Sequence, residues 1–460
     1  MFTSSSIFLP GYLCQLDDDA VLHSKEKVNS AAEDLFTIGI SKEHIHTLPC
    51  LTDNEAIDYR CSCTFQILSK DSNNGEIELQ YAMRSAKNAI LLGGDHFPIA
   101  TPRIQQIMKH VLKELNGRYA CSENNKAIKY PLLRSDLSSV SFASSWNNDM
   151  DCIATFNYCS PIHANQGTKE ELLKEANDFC RDCNITTLIL RSKKMKEIAG
   201  RLPPYIDDVL HLKPQADGAM KVALGEGDKS SISIFYHKPE DAFQHPNGNT
   251  MLQALGWIMT KLHSIERKRS ENKKDFRLLE MYCGCGAHTI PIAKCAIFDS
   301  IVAVELDQRL VIACQDNCIK NGCSPQANNC KGDKEDVTPV YSFQGDAGEW
   351  AAKSLLRRTK GLVASSNTTT CINKASKSYW YGQDFNVLLV DPPRMGLSQE
   401  VRSLAINGSF EHMIYVSCGR VALKADLDAL KVAFDVVDCT ITDLFPRTDS
   451  VESLVHLQRR

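Results

Sequence analysis

The chain has 460 residues, 43% hydrophobic and 23% charged, enough for two or three domains with full cores. Lys and Arg total 52 against 56 Asp and Glu, and the net charge of −4 excludes a global positive field, so any nucleic-acid surface must be a local patch. No apolar run approaches the ~20 residues needed to cross a bilayer, and no membrane protein is expected.

The first twenty residues carry Asp17, Asp18 and Asp19 and no basic residue before Lys25, a pattern of neither a secretory nor a transit peptide. A cytoplasmic protein is therefore expected, and its 19 cysteines should be free thiols. Cys180 and Cys183 form one C-x-x-C, and Cys314, Cys318, Cys323 and Cys330 fall close together. Neither group has a second pair or His at zinc-finger spacing, so no metal is expected.

Further along, alternating segments at 59–67 and 76–82 flank Asn73-Asn74-Gly75 and predict antiparallel strands around a turn. Helices are predicted over 103–115 and 169–183, so residues 1–240 read as an α+β domain. Near residue 240 the grammar changes. Apolar strands at 278–282, 301–305, 387–390 and 413–417 alternate with amphipathic helices at 290–296, 310–320 and 423–432. That alternation predicts an α/β, doubly wound, mostly parallel sheet over 241–460, with ligands bound at the carboxyl ends of its strands. Segments 435–442 and 451–457 have no helix between them and read as a closing hairpin. Six or seven strands ending in a hairpin resemble the Rossmann-like AdoMet-dependent methyltransferase fold.

Two polar stretches, 324–338 and 357–383, read as loops. The second mixes Arg357, Arg358, Lys360, Lys374 and Lys377 with Tyr379, Trp380 and Tyr381, a composition that suits single-stranded RNA or simply a solvated loop. The basic run 261–274, with Arg267-Lys268-Arg269, reads as the solvated end of a helix and is a second place to look for RNA contacts.

Four constellations carry chemistry. Glu280-Met-Tyr-Cys-Gly284-Cys-Gly286 ends the first strand of the sheet, where two glycines allow close approach of backbone to ligand. Its third glycine position is Thr289, so it is not the dinucleotide fingerprint. Glu305 ends the next strand, placed to accept hydrogen bonds from ribose hydroxyls. In Asp391-Pro-Pro-Arg394-Met-Gly-Leu the two prolines lock an extended exit, leaving Asp391 at the ligand edge; Arg394 is suited to gripping a phosphate or carboxylate. The strand 413–417 ends at Cys418, before a helix start and beside Arg420, which predicts a lowered thiol pKa and a nucleophilic thiolate. Finally, Phe445-Pro-Arg-Thr448-Asp-Ser-Val-Glu452 forms the turn of the hairpin and ends on a carboxylate.

In this order and spacing these segments resemble the RNA uracil-5-methyltransferases, and among them the bacterial-type tRNA (uracil-5-)-methyltransferases. Phe243-Gln244-His245-Pro246-Asn247 with Gln253 and Trp257, and Tyr59-Arg60 to Phe65 with the stretch 9–28 before it, extend the resemblance upstream. It implies AdoMet as cofactor, tRNA as partner, a monomer, and an N-terminal domain that recognises RNA. It further implies that Cys418 adds to carbon 6 of a T-loop uridine flipped out of its stack, and that Glu452 removes the proton from carbon 5. Tyr282, Glu305 and Asp391 would contact AdoMet, Gly284 and Gly286 would shape its pocket, and His245 stands where relatives have a Gln that holds cofactor or base. Cys285, Ala287 and Gly419-Arg420 also depart from the family pattern, leaving open a catalytically weakened tRNA-binding protein or the same chemistry on ribosomal RNA.

Overall fold

The computed structural model describes residues 18–71, 76–84, 89–91, 96–122, 125–146, 151–159, 168–193, 195–215, 220–224, 231–240, 242, 245–269, 275–325, 337–361 and 374–460. The expected turn at Asn73-Asn74-Gly75, the stretch before residue 18, Phe243, Gln244, and parts of the basic run and both polar stretches lie outside the described residues.

Segments predicted as N-terminal strands pair as expected: Ser62–Asp71 runs antiparallel to Ile77–Arg84, with Gln66 opposite Ala82. They belong to a seven-stranded, mostly antiparallel sheet. The helices Pro102–Leu115 and Lys169–Cys183 cover it, contributing Ile104, Ile107, Val111, Leu172 and Phe179 to one apolar core. Both helices carry apolar residues at 3.6-residue spacing, and Thr101 and Thr168 cap their first turns.

The second sheet has eight strands, in the order Ile45–Leu48, Phe434–Thr442, Glu452–Arg459, His412–Ser417, Val387–Val390, Arg277–Met281, Ser300–Glu305, Val340–Gln344. Its last five strands are parallel, and the order reverses between Arg277–Met281 and Val387–Val390, the place where a ligand crevice opens in such sheets. Alternate residues of each central strand face different cores. Leu388 and Val390 pack with the helices Ala20–Thr37, Ala347–Thr359, Gln399–Asn407 and Arg420–Leu430. Val387 and Leu389 pack with Gly248–Arg267, Thr289–Lys294 and Gln308–Lys320. The hairpin closes antiparallel, Cys439 opposite Val455.

Three features differ from the sequence reading. The eighth strand, Ile45–Leu48, pairs in parallel with Cys439 to Thr442, and the helix before it buries Val28, Ala31 and Leu35 against the C-terminal sheet. The three-stranded sheet of Tyr205–Pro214, Met220–Leu224 and Ile232–Pro239 likewise shares a core with Gly248–Arg267. Both segments fall before residue 240, yet their apolar faces are completed by the second half of the chain. Third, the stretch read as the loop 357–383 begins in the helix Ala347–Thr359 and ends around a buried Trp380, which packs against Tyr341 with ring centroids 4.9 Å apart. Trp380 is therefore core and no platform for RNA bases, and Arg358 pairs with Asp384 at 2.7 Å. Among the described residues no helix is long and apolar enough to cross a membrane.

Candidate active site

Register brings the sequence-predicted residues to one edge. Met281 lies opposite both Val304 and Val390, so Tyr282, Glu305 and Asp391 leave their strands in one rank. Ser417 lies opposite Ser453, and one further step along these antiparallel strands sets Cys418 against Glu452.

The glycine loop is a cradle made by backbone geometry. Tyr282 has φ +66°, Gly284 +57° and Gly286 +93°, turning the chain sharply off its strand. A Cβ on Gly286 would crowd Cys314 Sγ and Ile290 Cγ1 at 3.2 Å, so no side chain fills the cradle. Glu305 holds the loop from the next strand: its Oε2 accepts from Gly284 N at 3.0 Å and its Oε1 from Asp307 N at 2.9 Å. A carboxylate offers about four lone-pair sites, so Glu305 retains acceptors for vicinal hydroxyls. Below the loop, Glu280 is buried in an apolar strand; it accepts from Thr289 Oγ1 at 2.6 Å, and burial holds its carboxyl well above the usual range. These features fit an adenosine-bearing cofactor.

The Asp391 loop is held from beneath by a residue the sequence reading missed. Buried Asp426 accepts from Leu397 N at 2.8 Å, Tyr415 Oη at 2.6 Å and Arg402 Nη1 at 3.0 Å, tying that loop to the strand before Cys418. The only signal was an acidic residue on the apolar face of the helix Arg420–Leu430. A Cβ on Gly419 would run into the Arg394 carbonyl, so glycine there lets the Asp391 and Cys418 loops touch.

Cys418 is half-buried, one of only three of the 15 described thiols that are not buried. Its pKa is pushed up to about 11 by burial and by the carboxylates of Glu452 and Asp391, with Arg394 opposing them through charge and a hydrogen bond. This corrects the expected lowered pKa. Arg420 points away from the thiol, donating to Asp34 Oδ2 at 2.6 Å and to Ser30 Oγ at 2.9 Å. Glu452 is 2% exposed, and burial together with Asp391 holds its carboxyl well above the usual range.

His245 Nε2 stands 3.7 Å from Asp391 Oδ2, and buried His288 completes a trio whose donor atoms lie within 4.8 Å of one another. Burial lowers the His288 pKa to about 4 and keeps its ring neutral.

A reversing parallel sheet, a glycine cradle backed by Glu305, and a thiol facing a buried carboxylate define an AdoMet-dependent methyltransferase. The model of the family described as "tRNA (Uracil-5-)-methyltransferase" matches residues 45–326 and 377–460, and the chain belongs to that family. It is 26% identical over 413 residues to a tRNA/tmRNA (uracil-C(5))-methyltransferase of Ectopseudomonas mendocina, covering 90% of this chain and 91% of that one. A protein of the same name from Pseudomonas savastanoi pv. phaseolicola is 28% identical over 414 residues, with the same coverage of both chains. Among solved structures, the tRNA (uracil-54, C5)-methyltransferase of Pyrococcus abyssi in complex with S-adenosyl-L-homocysteine shares the fold, with TM-score 0.56 and 14% identity over 99% of this chain and 86% of that one.

Proposed function

We propose that this enzyme methylates carbon 5 of a uridine in tRNA, the T-loop uridine, through a covalent adduct on Cys418. The observation that carries this reading is the pairing of Cys418 and Glu452 across adjoining strand ends, with Asp391 and Arg394 beside both. A methyltransferase acting on an already nucleophilic atom has no use for a thiol there; uracil carbon 5 is a poor nucleophile and does.

Cys418 adds its sulfur to carbon 6, and the displaced electron pair moves onto the ring as an enolate. Bound AdoMet would supply the methyl group to carbon 5, its bond to the sulfonium sulfur breaking so that S-adenosyl-L-homocysteine leaves. Glu452 then accepts the proton from carbon 5, and the pair left behind re-forms the 5,6 double bond as the carbon 6–sulfur bond breaks. A buried carboxylate with a raised pKa is a strong base once ionised, which suits that step. Tyr282, Gly284, Gly286, Glu305 and Asp391 would hold the cofactor, and His245 orients Asp391.

Substrate access is supported by the surroundings. Met395 and Val421, 87% and 84% exposed, flank the nucleophile and offer apolar contact to a base leaving its stack. A cleft of about 930 Å³, lined by Tyr59, Asn247, Gln253, Trp257 and Pro446, touches the turn before Glu452 without including Cys418 or Asp391, and offers room for neighbouring nucleotides. The basic run 261–269 lies at the opposite ends of the strands, near His412 and Gln458, and Lys261 is paired with Asp438.

The test is incubation of unmodified tRNA with methyl-labelled AdoMet, followed by mapping of the product. Label at carbon 5 of one T-loop uridine is expected, and absence of label at any uridine carbon 5 overturns the proposal. Cys418→Ala should abolish turnover, while Glu452→Gln should leave a tRNA–protein adduct that survives denaturing electrophoresis.

A further inference from the structure

The helix Ala20–Thr37 touches both catalytic elements. Lys27, 7% exposed, sends its ammonium into the turn before Glu452, donating to the carbonyls of Phe445 at 2.8 Å, Thr448 at 2.6 Å and Ser450 at 3.2 Å, and pairing with Asp443 at 2.6 Å. Thr448 completes the turn, its Oγ1 donating to Phe445 O at 2.8 Å and accepting from Ser450 N at 3.2 Å. Seven residues further along the helix, Asp34 holds Arg420 at 2.6 Å and Lys424 at 3.6 Å, both on the helix that follows Cys418. Seven residues are two helical turns, roughly 10.5 Å, on one face.

We propose that this helix is a rigid gauge between nucleophile and base, with Lys27 a positioning residue for Glu452 and Asp34 a positioning residue for Cys418. The turn over 443–450 is tied to other segments at Pro446, which accepts from Tyr59 Oη at 2.8 Å, and at Arg447, which donates to Ala56 O at 3.3 Å, while four acceptors converge on the Lys27 ammonium inside it. Without a cation they repel one another, the turn relaxes, and Glu452, two residues beyond Ser450, loses its fixed approach to the carbon 5 proton. Asp34 acts on the other arm, fixing the first turn of the helix whose preceding residues are Gly419 and Cys418. The inference rests on the reading of Cys418 as nucleophile and Glu452 as base.

Two substrates separate the steps. A tRNA transcript containing 5-fluorouridine has no carbon 5 proton to lose, so with AdoMet present it stops at the methylated adduct and reports the steps before proton removal. A transcript carrying tritium at carbon 5 reports proton removal. Lys27→Met, which keeps most of the side-chain volume, is expected to form the fluorinated adduct at the wild-type rate and to release tritium about 10- to 100-fold more slowly, with AdoMet affinity unchanged. Asp34→Asn, in a partly exposed pair and checked for folding by urea unfolding, is expected to slow adduct formation about 3- to 10-fold and leave tritium release from the adduct unchanged. Wild-type tritium release by Lys27→Met, or both variants slowing the same step, overturns the gauge while leaving the covalent mechanism intact. Methylation by the wild-type protein with no fluorinated adduct overturns the covalent mechanism, and the gauge with it.

Discussion

His245 reaches Asp391 across the crevice, Nε2 to Oδ2 at 3.7 Å, although the two residues come from different segments. The contact sets a ring nitrogen facing the carboxylate, a place that a Gln amide nitrogen could also fill. His245→Gln is therefore expected to retain activity within about threefold, while His245→Ala frees Asp391 and lowers kcat/KM about tenfold, as read by methyl transfer at varied AdoMet. Equal losses in the two variants would remove this role.

The raised pKa of Cys418 has a kinetic consequence. With the thiol at about 11, the thiolate fraction grows tenfold per pH unit through the neutral range. Methylation rates should thus climb steadily from pH 7 to 9. Arg394 favours the thiolate through charge and a hydrogen bond, so Arg394→Ala should cut the rate at pH 7 about tenfold and displace the profile to higher pH.

Buried His288 makes the fold acid-sensitive. Its folded-state pKa is lowered from 6.5 to about 4, so between those values the unfolded chain binds the proton and the folded one does not. Its contribution is present above about pH 6.5 and is lost as pH falls towards 4, on the order of 3 kcal/mol in all. Urea unfolding of His288→Leu should show a flatter dependence over that window than the wild type.

Trp380 distinguishes core from RNA platform. Trp380→Ala should cost about 3–5 kcal/mol of stability through the cavity it leaves. At temperatures where the variant is folded, its tRNA affinity by filter binding should match the wild type.

Much of the second half was legible because strand and helix alternate with different apolar periods. Val387–Val390 is bounded in the structure as the sequence predicts, and Asp391, Glu305 and Tyr282 fall in rank because each ends a strand. What could not be read was tertiary. The thiol's pKa depends on which charges fold over it, and sequence proximity suggested Arg420 where space supplies Glu452 and Asp391. Tyr379-Trp380-Tyr381 had a composition compatible with RNA, but the surface facing Trp380 is Tyr341, 39 positions earlier in the chain. Lys27 and Asp426 left almost no trace, since a Lys or Asp on a helix is ordinarily solvated and only the partners make it structural.

The contact between Lys27 and Phe445 joins residues 418 positions apart. On a ribosome, the helix Ala20–Thr37 emerges early and must wait, its apolar face uncovered, until the closing hairpin has left the exit tunnel. Such separation slows folding and exposes the half-made chain to chaperones and proteases. It also means that a nascent chain stopped before its final strands lacks Glu452 and the turn that Lys27 binds, and under the proposed mechanism such a chain has no base.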